Sequence, residues 1–426
     1  MKKREPKPLG FTERGHVIRL DPTCKQANAL VRAVGVARFT YNWALDEWNR
    51  QYSAGKKPSA FALKKQFNAI KRDLFPWIME SPRDANSQAF TDVGRAFNNF
   101  FASRSGKRKG PKIRHPKFHK KGRNDSFYVA NDQFSVRERG KRGVVRLPLI
   151  GDVRMFEKLR WCGKILSARI YRKADCWYIA IAVETVDNRP NKHQYPIVGV
   201  DLGVKTAIVT SHGEQIDAPK PLRKALKRLK RLNRCLHKKK KGSKNRNKAR
   251  IKVARLHQRI ANVRTDFWHK NSTKLCLENQ EVVIEDLNVK AMFKNKKLAR
   301  AASDVAIGMF RPMMVYKSVA YGTKLTVADR YYPSTQRCSN CGDFKIGEDK
   351  LVLGDSVYVC EKCDMVKDRD KNAALNLEQY PRLSGNWTLM SRTSMEDYTA
   401  TRLAKVNRAS IVVEVETKPC SLVNTN

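Results

Sequence analysis

Two cysteine pairs, Cys338-Ser-Asn-Cys341 and Cys360-Glu-Lys-Cys363, stand a short spacer apart near the end of the chain. Cysteines that close make poor structural disulfides, whereas two such knuckles can bring four thiolates into a tetrahedron. The spacing therefore predicts a structural Zn2+ site held by Cys338, Cys341, Cys360 and Cys363 in a zinc ribbon. A ribbon pinned in this way can fix the position of the residues just beyond it, Asp368-Arg-Asp370-Lys-Asn372-Ala-Ala-Leu-Asn376-Leu.

Two further acids close strand-like apolar runs upstream. Ile197-Val-Gly-Val ends in Asp201, and Val282-Val-Ile ends in Glu285. A carboxylate at the end of a buried strand is costly to desolvate unless a cation or hydrogen bonds compensate it. Singly, Asp201 could open a turn and Asp370 could cap a helix. Together with the ribbon they predict a metal-binding cluster. The order of strand, hairpin, helices, strand, helix, strand and final helix, with acids on the first strand, a middle strand and the last helix, is the layout of an RNase H-like α/β fold. Hard oxygen ligands suit Mg2+ or Mn2+, and an ion pair there supports phosphodiester hydrolysis. Asp201 is expected to bridge two ions, with Glu285 and Asp370 each completing one shell. Asp370 is preferred to Asp368 because it directly precedes the helix start.

Charge narrows the partner. Lys and Arg number 87 against 40 Asp and Glu, a formal net charge of +47 over 426 residues. A folded chain keeps such an excess when a polyanion neutralises it, so nucleic acid is the expected partner. No apolar run of membrane-spanning length and no signal-peptide core occurs, which predicts a cytoplasmic protein with no membrane partner. The cysteines outside the ribbon show no paired spacing, consistent with reduced thiols.

Along the chain, Phe11 to Leu20 reads as a strand and Asp21-Pro22 as a helix start, leading into a helical stretch through Trp48. A second helix through Phe90, Val93, Phe97 and Phe100 ends near Ser103. Short strands come next at Ser126–Val129, Val144–Leu147, Ile165–Tyr171 and Trp177–Val183, predicting a small antiparallel β-barrel. Arg114, Lys117, Lys120, Lys121 and Arg123 lie on a basic loop beside it, suited to phosphate contacts.

No Asp or Glu occurs between Asp217 and Asp266, while leucines keep helical spacing from Leu222 to Leu236 and apolar residues do so from Val253 to Phe267. This predicts a helical hairpin with one apolar seam and a cationic outer surface, whose Lys227, Arg231, Lys238, Lys239, Lys240, Arg264 and Lys270 are expected to bind nucleic-acid backbone. A helix over Ser303–Val319 and a strand over Lys324–Ala328 complete the fold before the ribbon. The expected domains are a β-barrel over 1–20 and 112–190, a helical insertion over 21–111, a nuclease domain over 191–333 and 366–384, the ribbon over 334–365 and a mobile tail over 385–426.

Gly199-Val-Asp201-Leu-Gly, Val282-Val-Ile-Glu285-Asp-Leu, Ser334-Thr-Gln-Arg-Cys338-Ser-Asn-Cys341-Gly and Asp368-Arg-Asp370-Lys-Asn-Ala-Ala together resemble TnpB, a transposon-encoded relative of type V CRISPR nucleases built on a split RuvC domain. Val36-Ala-Arg-Phe-Thr-Tyr-Asn-Trp43, Gly122-Arg-Asn-Asp-Ser-Phe127 and Arg264-Thr-Asp-Phe-Trp-His-Lys270 extend the resemblance over nearly everything except the tail. It implies an RNA-guided endonuclease that acts as a monomer with its guide RNA on target double-stranded DNA. The barrel would be wedge-like, the helical insertion would take part in recognising a short motif beside the target, and one RuvC site would cut both strands in turn. Base pairing then supplies sequence recognition, leaving phosphates and heteroduplex shape to the protein's cations. A conventional transposase would carry its acids in the order D…D…E, and a TnpB-derived repressor that had lost cleavage would lack at least one of the three acids present here.

Overall fold

A computed structural model of the chain describes residues 11–383 except 109, 124, 187–192, 297, 346–348 and 353. The tail expected over 385–426 lies outside the described residues. The described chain divides into two compact units, one running through Val186 and the other beginning at Asp187. The boundary expected near residue 190 falls in an undescribed segment. Among the described residues no helix is long and apolar enough to cross a membrane.

The first unit opens with β1 (Phe11–Asp21), followed by three helices, α1 (Cys24–Ser53), α2 (Ala60–Leu74) and α3 (Arg83–Arg104). The helix start read at Asp21-Pro22 moves to Thr23, because Asp21 stays in the sheet opposite Arg154. Thr23 and Gln26 instead cap reciprocally, each side chain bonding the other's backbone N–H. Sequence reasoning missed α2, although Ser59 caps it and Leu63 and Phe67 bury a face at a spacing of four. Six strands come after: β2 (Ser126–Ala130), β3 (Ser135–Arg139), β4 (Arg142–Leu147), β5 (Gly151–Met155), β6 (Lys164–Lys173) and β7 (Cys176–Val186). With β1 they form one sheet in the order β2-β6-β7-β1-β5-β4-β3, antiparallel throughout. Its two end strands, β2 and β3, are joined through a single 3-10 turn at Asn131–Gln133, so the ends of the sheet must curl toward each other. Ile18, Phe127, Ile170 and Ile181 from the sheet share one core with Leu30, Leu45, Phe67, Phe90 and Phe97 from the helices.

The second unit is built on a five-stranded sheet. Its strands are β8 (Tyr195–Asp201), β9 (Thr206–Thr210), β10 (Gln215–Asp217), β11 (Asn279–Glu285) and β12 (Lys324–Ala328), ordered β10-β9-β8-β11-β12. β8, β9 and β10 meander antiparallel, whereas β11 runs parallel to both β8 and β12. Parallel strands covered on both faces are apolar almost throughout, which is why β8 and β11 stand out in the sequence. Between β10 and β11 rise α4 (Pro221–His237) and α5 (Lys244–Glu278), sealed by Leu229, Leu256 and Ile260. After β11 come α6 (Val289–Lys294), α7 (Ala299–Val305) and α8 (Phe310–Tyr321).

The single helix expected over Ser303–Val319 is therefore two, broken at Ala306, whose φ of 58° is left-handed. The carbonyl of Val305, which a continuous helix would use four residues on, accepts instead from the Trp268 indole at 2.8 Å. Asp304, just before the break, accepts from the backbone N–H groups of Leu222 and Arg223 at 2.8 Å and so caps α4 from outside. On one face the sheet packs Val198, Val200, Val282 and Ile284 against Trp268, Phe310 and Met314. On the other, Ile197, Val283 and Ala328 meet Leu377 and Tyr380 of α9 (Arg369–Leu383), the last described helix. Before α9 lies the small hairpin of β13 (Val357–Val359) and β14 (Val366–Asp368). Cys24, Cys176, Cys235 and Cys276 are free thiols, as expected.

Candidate metal centres and nucleic-acid surface

Asp201 and Glu285 are the last residues of β8 and β11. Because Val200 pairs with Ile284 in the parallel ladder, the two carboxylates leave the sheet at the same end. Asp370 enters from the first turn of α9, which packs across β8. The approach is close enough that β8 must be glycine at residue 199. A Cβ on Gly199 would stand 2.0 Å from the Ala374 carbonyl oxygen and 2.4 Å from the Glu378 nitrogen.

Asp201 and Glu285 each sense the charge of Asp370. Burial pushes the Asp201 carboxyl well above the usual range, and the negative charges of Glu285 and Asp370 push it further. Glu285 is raised as well, first by burial, against a hydrogen bond from the Ser334 hydroxyl and with the charge of Asp370 behind it. Asp370 is held by Arg369, whose guanidinium donates to its carboxylate at 3.0 Å. Like-charged groups collected in a poorly solvated place call for a cation, and carboxylate oxygens suit a hard divalent one. They are spaced more openly than the ribbon's thiolates: among the described residues, the four ribbon cysteines are the one group of three or more Cys, His, Asp or Glu whose ligand atoms all lie within 4.8 Å of one another.

Those four are Cys338, Cys341, Cys360 and Cys363. The Sγ atoms of Cys338 and Cys363 are 3.7 Å apart and those of Cys341 and Cys360 are 3.6 Å apart. A disulfide would need about 2 Å. Four thiolates around one Zn2+ at about 2.3 Å would stand roughly 3.8 Å from each other, so the cluster fits zinc. The Asn340 amide donates to the Cys363 sulfur, the largest of the effects that lower this thiol to about 6. Tyr358, Leu351 and Met365 pack around the sulfurs.

Asp368 has a different role from Asp370: its carboxylate accepts the Lys371 N–H at 3.0 Å and so caps α9. Sequence reasoning missed the groups that join ribbon and acids. Asn372, fully buried, accepts from the Ser339 N–H and donates to the Arg337 carbonyl. Asn376, also fully buried, donates to the carbonyls of Ser334 and Arg337. Asparagines four apart on one helix face were the available signal.

The expected nucleic-acid residues fall on two surfaces. Arg114, Lys117, Lys120, Lys121 and Arg123 all lie exposed on the coil between α3 and β2. Lys227, Arg231, Lys238 and Lys240 are exposed on and just beyond α4, with Lys239 half-buried beside them. Lys270 is exposed and pairs with Asp266 at 2.9 Å. Arg264 departs from the pattern, since its guanidinium turns to Asp304 at 3.2 Å, where it anchors the start of α4.

Residues 180–296 match the family described as "Probable transposase", and residues 308–377 match the "Cas12f1-like, TNB domain" family. Residues 12–57 match a family described as "Helix-turn-helix domain", although here they form β1 and one uninterrupted helix, α1. A "Putative RNA-guided DNA endonuclease" of Streptomyces pristinaespiralis is 36% identical over 86% of this chain and 88% of its own length. A protein of Escherichia coli K12 with the same description is 29% identical over 84% of this chain and 90% of its own. Among solved structures, a Cas12f1–sgRNA–target DNA complex aligns over 83% of this chain and 82% of that one, with a TM-score of 0.50 at 14% identity, a likeness of fold. A "TnpB-like protein" of Acanthamoeba polyphaga mimivirus is 30% identical over 32% of the chain, and with the near-full-length similarity to the Streptomyces protein it shows that this chain belongs to the TnpB family.

Proposed function

We propose that the chain is an RNA-guided DNA endonuclease that hydrolyses phosphodiester bonds of double-stranded DNA at Asp201, Glu285 and Asp370. One observation carries the reading: acids 84 and 85 residues apart along the chain leave two parallel strands and one helix at the same end of a sheet, where burial and then the charges of Glu285 and Asp370 raise Asp201. The strand order and the α9 crossing support an RNase H-like, RuvC-type nuclease unit. The curled antiparallel sheet supports a wedge-like barrel, with α1–α3 as its helical insertion. The family's members with this description are named for RNA-guided DNA cleavage, and the charge of +47 suits a guide RNA together with its target.

A pair of Mg2+ or Mn2+ ions held by Asp201, Glu285 and Asp370 would activate water and stabilise the leaving oxygen. The chain's own part is positioning. Ser334 and the sheet orient the Glu285 carboxylate, and Arg369 orients Asp370. Zinc in the four-thiolate site holds the ribbon, whose backbone is clamped to α9 through Asn372 and Asn376. The α4 arm and the loop around Lys117 supply cations for phosphates.

Purified protein should carry a defined RNA and cut matching DNA only with Mg2+ or Mn2+. Asp201→Ala, Glu285→Ala and Asp370→Ala should each lower cutting by roughly a thousandfold or more while the RNA stays bound. Cutting retained by all three variants would end the assignment, and protein without a defined RNA would end the guided reading.

A further inference from the structure

Between β12 and the ribbon, residues 329–334 form a tight turn that is tied down on several sides. Ala328, the last residue of β12, is the register partner of Glu285, so the turn starts at the acid end of the sheet. The Asp329 N–H donates to the Tyr380 hydroxyl at 3.1 Å. Arg330 donates to Asp286, the neighbour of Glu285, which also binds Arg311. Tyr332 reaches the Asn376 carbonyl with its hydroxyl at 3.0 Å and packs edge-on against Tyr380. Ser334 donates to Glu285 itself.

Amid these anchored neighbours stands Tyr331, 84% exposed, more than any other large apolar side chain among the described residues. A single exposed aromatic is ordinary when its backbone is loose or its surroundings are distant from any site. Here the backbone is held, with the Tyr331 N–H bonded to the Asp329 carboxylate at 2.8 Å, and the turn springs from the rim of the acid end, where Ala328 pairs with Glu285 and Arg330 with Asp286. The Arg330 guanidinium, half exposed, lies next to it in sequence and carries positive charge to the same rim. A strand brought to the carboxylates by its phosphate needs a surface for bases that have lost their stacking partners. An exposed aromatic side chain on a held backbone, next in sequence to a guanidinium, offers the chemistry that binds such a strand without reading its sequence.

We infer that Tyr331 is a stacking platform for an unpaired base of single-stranded DNA next to the scissile phosphate, with Arg330 beside it for the backbone. The inference rests on the nuclease reading above and adds to it a side chain that holds the strand beside the acids.

The probe is a short single-stranded DNA in which 2-aminopurine alternates with thymine, added to the full chain with its zinc and RNA but without Mg2+ or Mn2+. Wild type and Tyr331→Phe should quench the fluorescence alike, and Tyr331→Ala should quench less and bind about tenfold more weakly, the loss of one base–aromatic stack. Because the side chain is exposed, Tyr331→Ala should melt at the wild-type temperature and keep its zinc. Equal quenching and affinity in wild type and Tyr331→Ala overturn the platform, whatever the cutting assays give. Asp201→Ala separates the two readings: it should abolish cutting and leave the Tyr331-dependent quenching intact. A wild type that does not cut but shows that quenching refutes the nuclease while keeping the platform.

Discussion

His269 illustrates how one side chain can store a pH response in this fold. It lies 5% exposed on α5, with the Tyr316 hydroxyl 3.4 Å from its Nδ1, while Lys317 donates to its backbone carbonyl. Burial first, and the nearby Lys317 cation second, lower its pKa from 6.5 to about 4. The unfolded chain therefore takes up a proton at a pH where the folded chain resists it. Stability from this residue is complete above about pH 6.5 and is lost as the pH falls toward 4, with a full loss on the order of 3 kcal/mol. His269→Gln should flatten that part of the stability curve, as measured by urea unfolding at about pH 7, 5.5 and 4.5. An unchanged slope would mean that His269 is protonated in the folded protein. The same scale explains what the sequence hid: Ser334 looks like any serine before a knuckle, and only the return of the chain to the end of β11 brings it to Glu285.

At the scale of elements, β8 and α9 depend on each other through the missing side chain of Gly199. Gly199→Ala would press a methyl into the Ala374 carbonyl and force the helix outward, at a cost of about 1–3 kcal/mol. Since α9 carries Asp370, cutting should fall more than stability implies, and thermal melting beside a cleavage assay on the same preparation checks this. Wild-type cutting in a destabilised Gly199→Ala protein would show that Asp370 tolerates the shift. Elements were legible where local pattern and final environment coincide. β12 lies where its apolar run predicts, and the four cysteines meet as their spacing requires. β3 was missed because it is five residues long and almost wholly exposed, and β5 because its alternation, Val153 and Met155 buried around exposed Arg154, is too short to stand out. The break at Ala306 was invisible because its causes, Trp268 and the start of α4, lie tens of residues upstream.

For the molecule as a whole, charge is the dominant quantity. With an excess of 47 cations, nucleic-acid binding must weaken steeply with salt. Replacing Lys238, Lys239 and Lys240 by glutamine should reduce the slope of log K against log salt by roughly 2–3 if all three meet phosphates. Filter binding from low to moderate salt measures it, and an unchanged slope would remove the arm's tip from the interface. On the proposed reading the acid cluster and the cations belong to one design at this scale, since the cations would collect the phosphates that the acids hydrolyse.

The route of the chain between those surfaces has a practical corollary. α4 leaves the sheet just after β10, and α5 returns over 35 residues, about 50 Å, straight into the strand that ends in Glu285. Everything between is an excursion that leaves from and returns to the same sheet and turns at Gly242, whose φ is +85°. Severed there and produced as two polypeptides, the halves should find each other through the leucine seam and the β8–β11 ladder and recover nuclease activity on mixing. Inactive mixtures of folded halves would mean that the covalent bend itself is required.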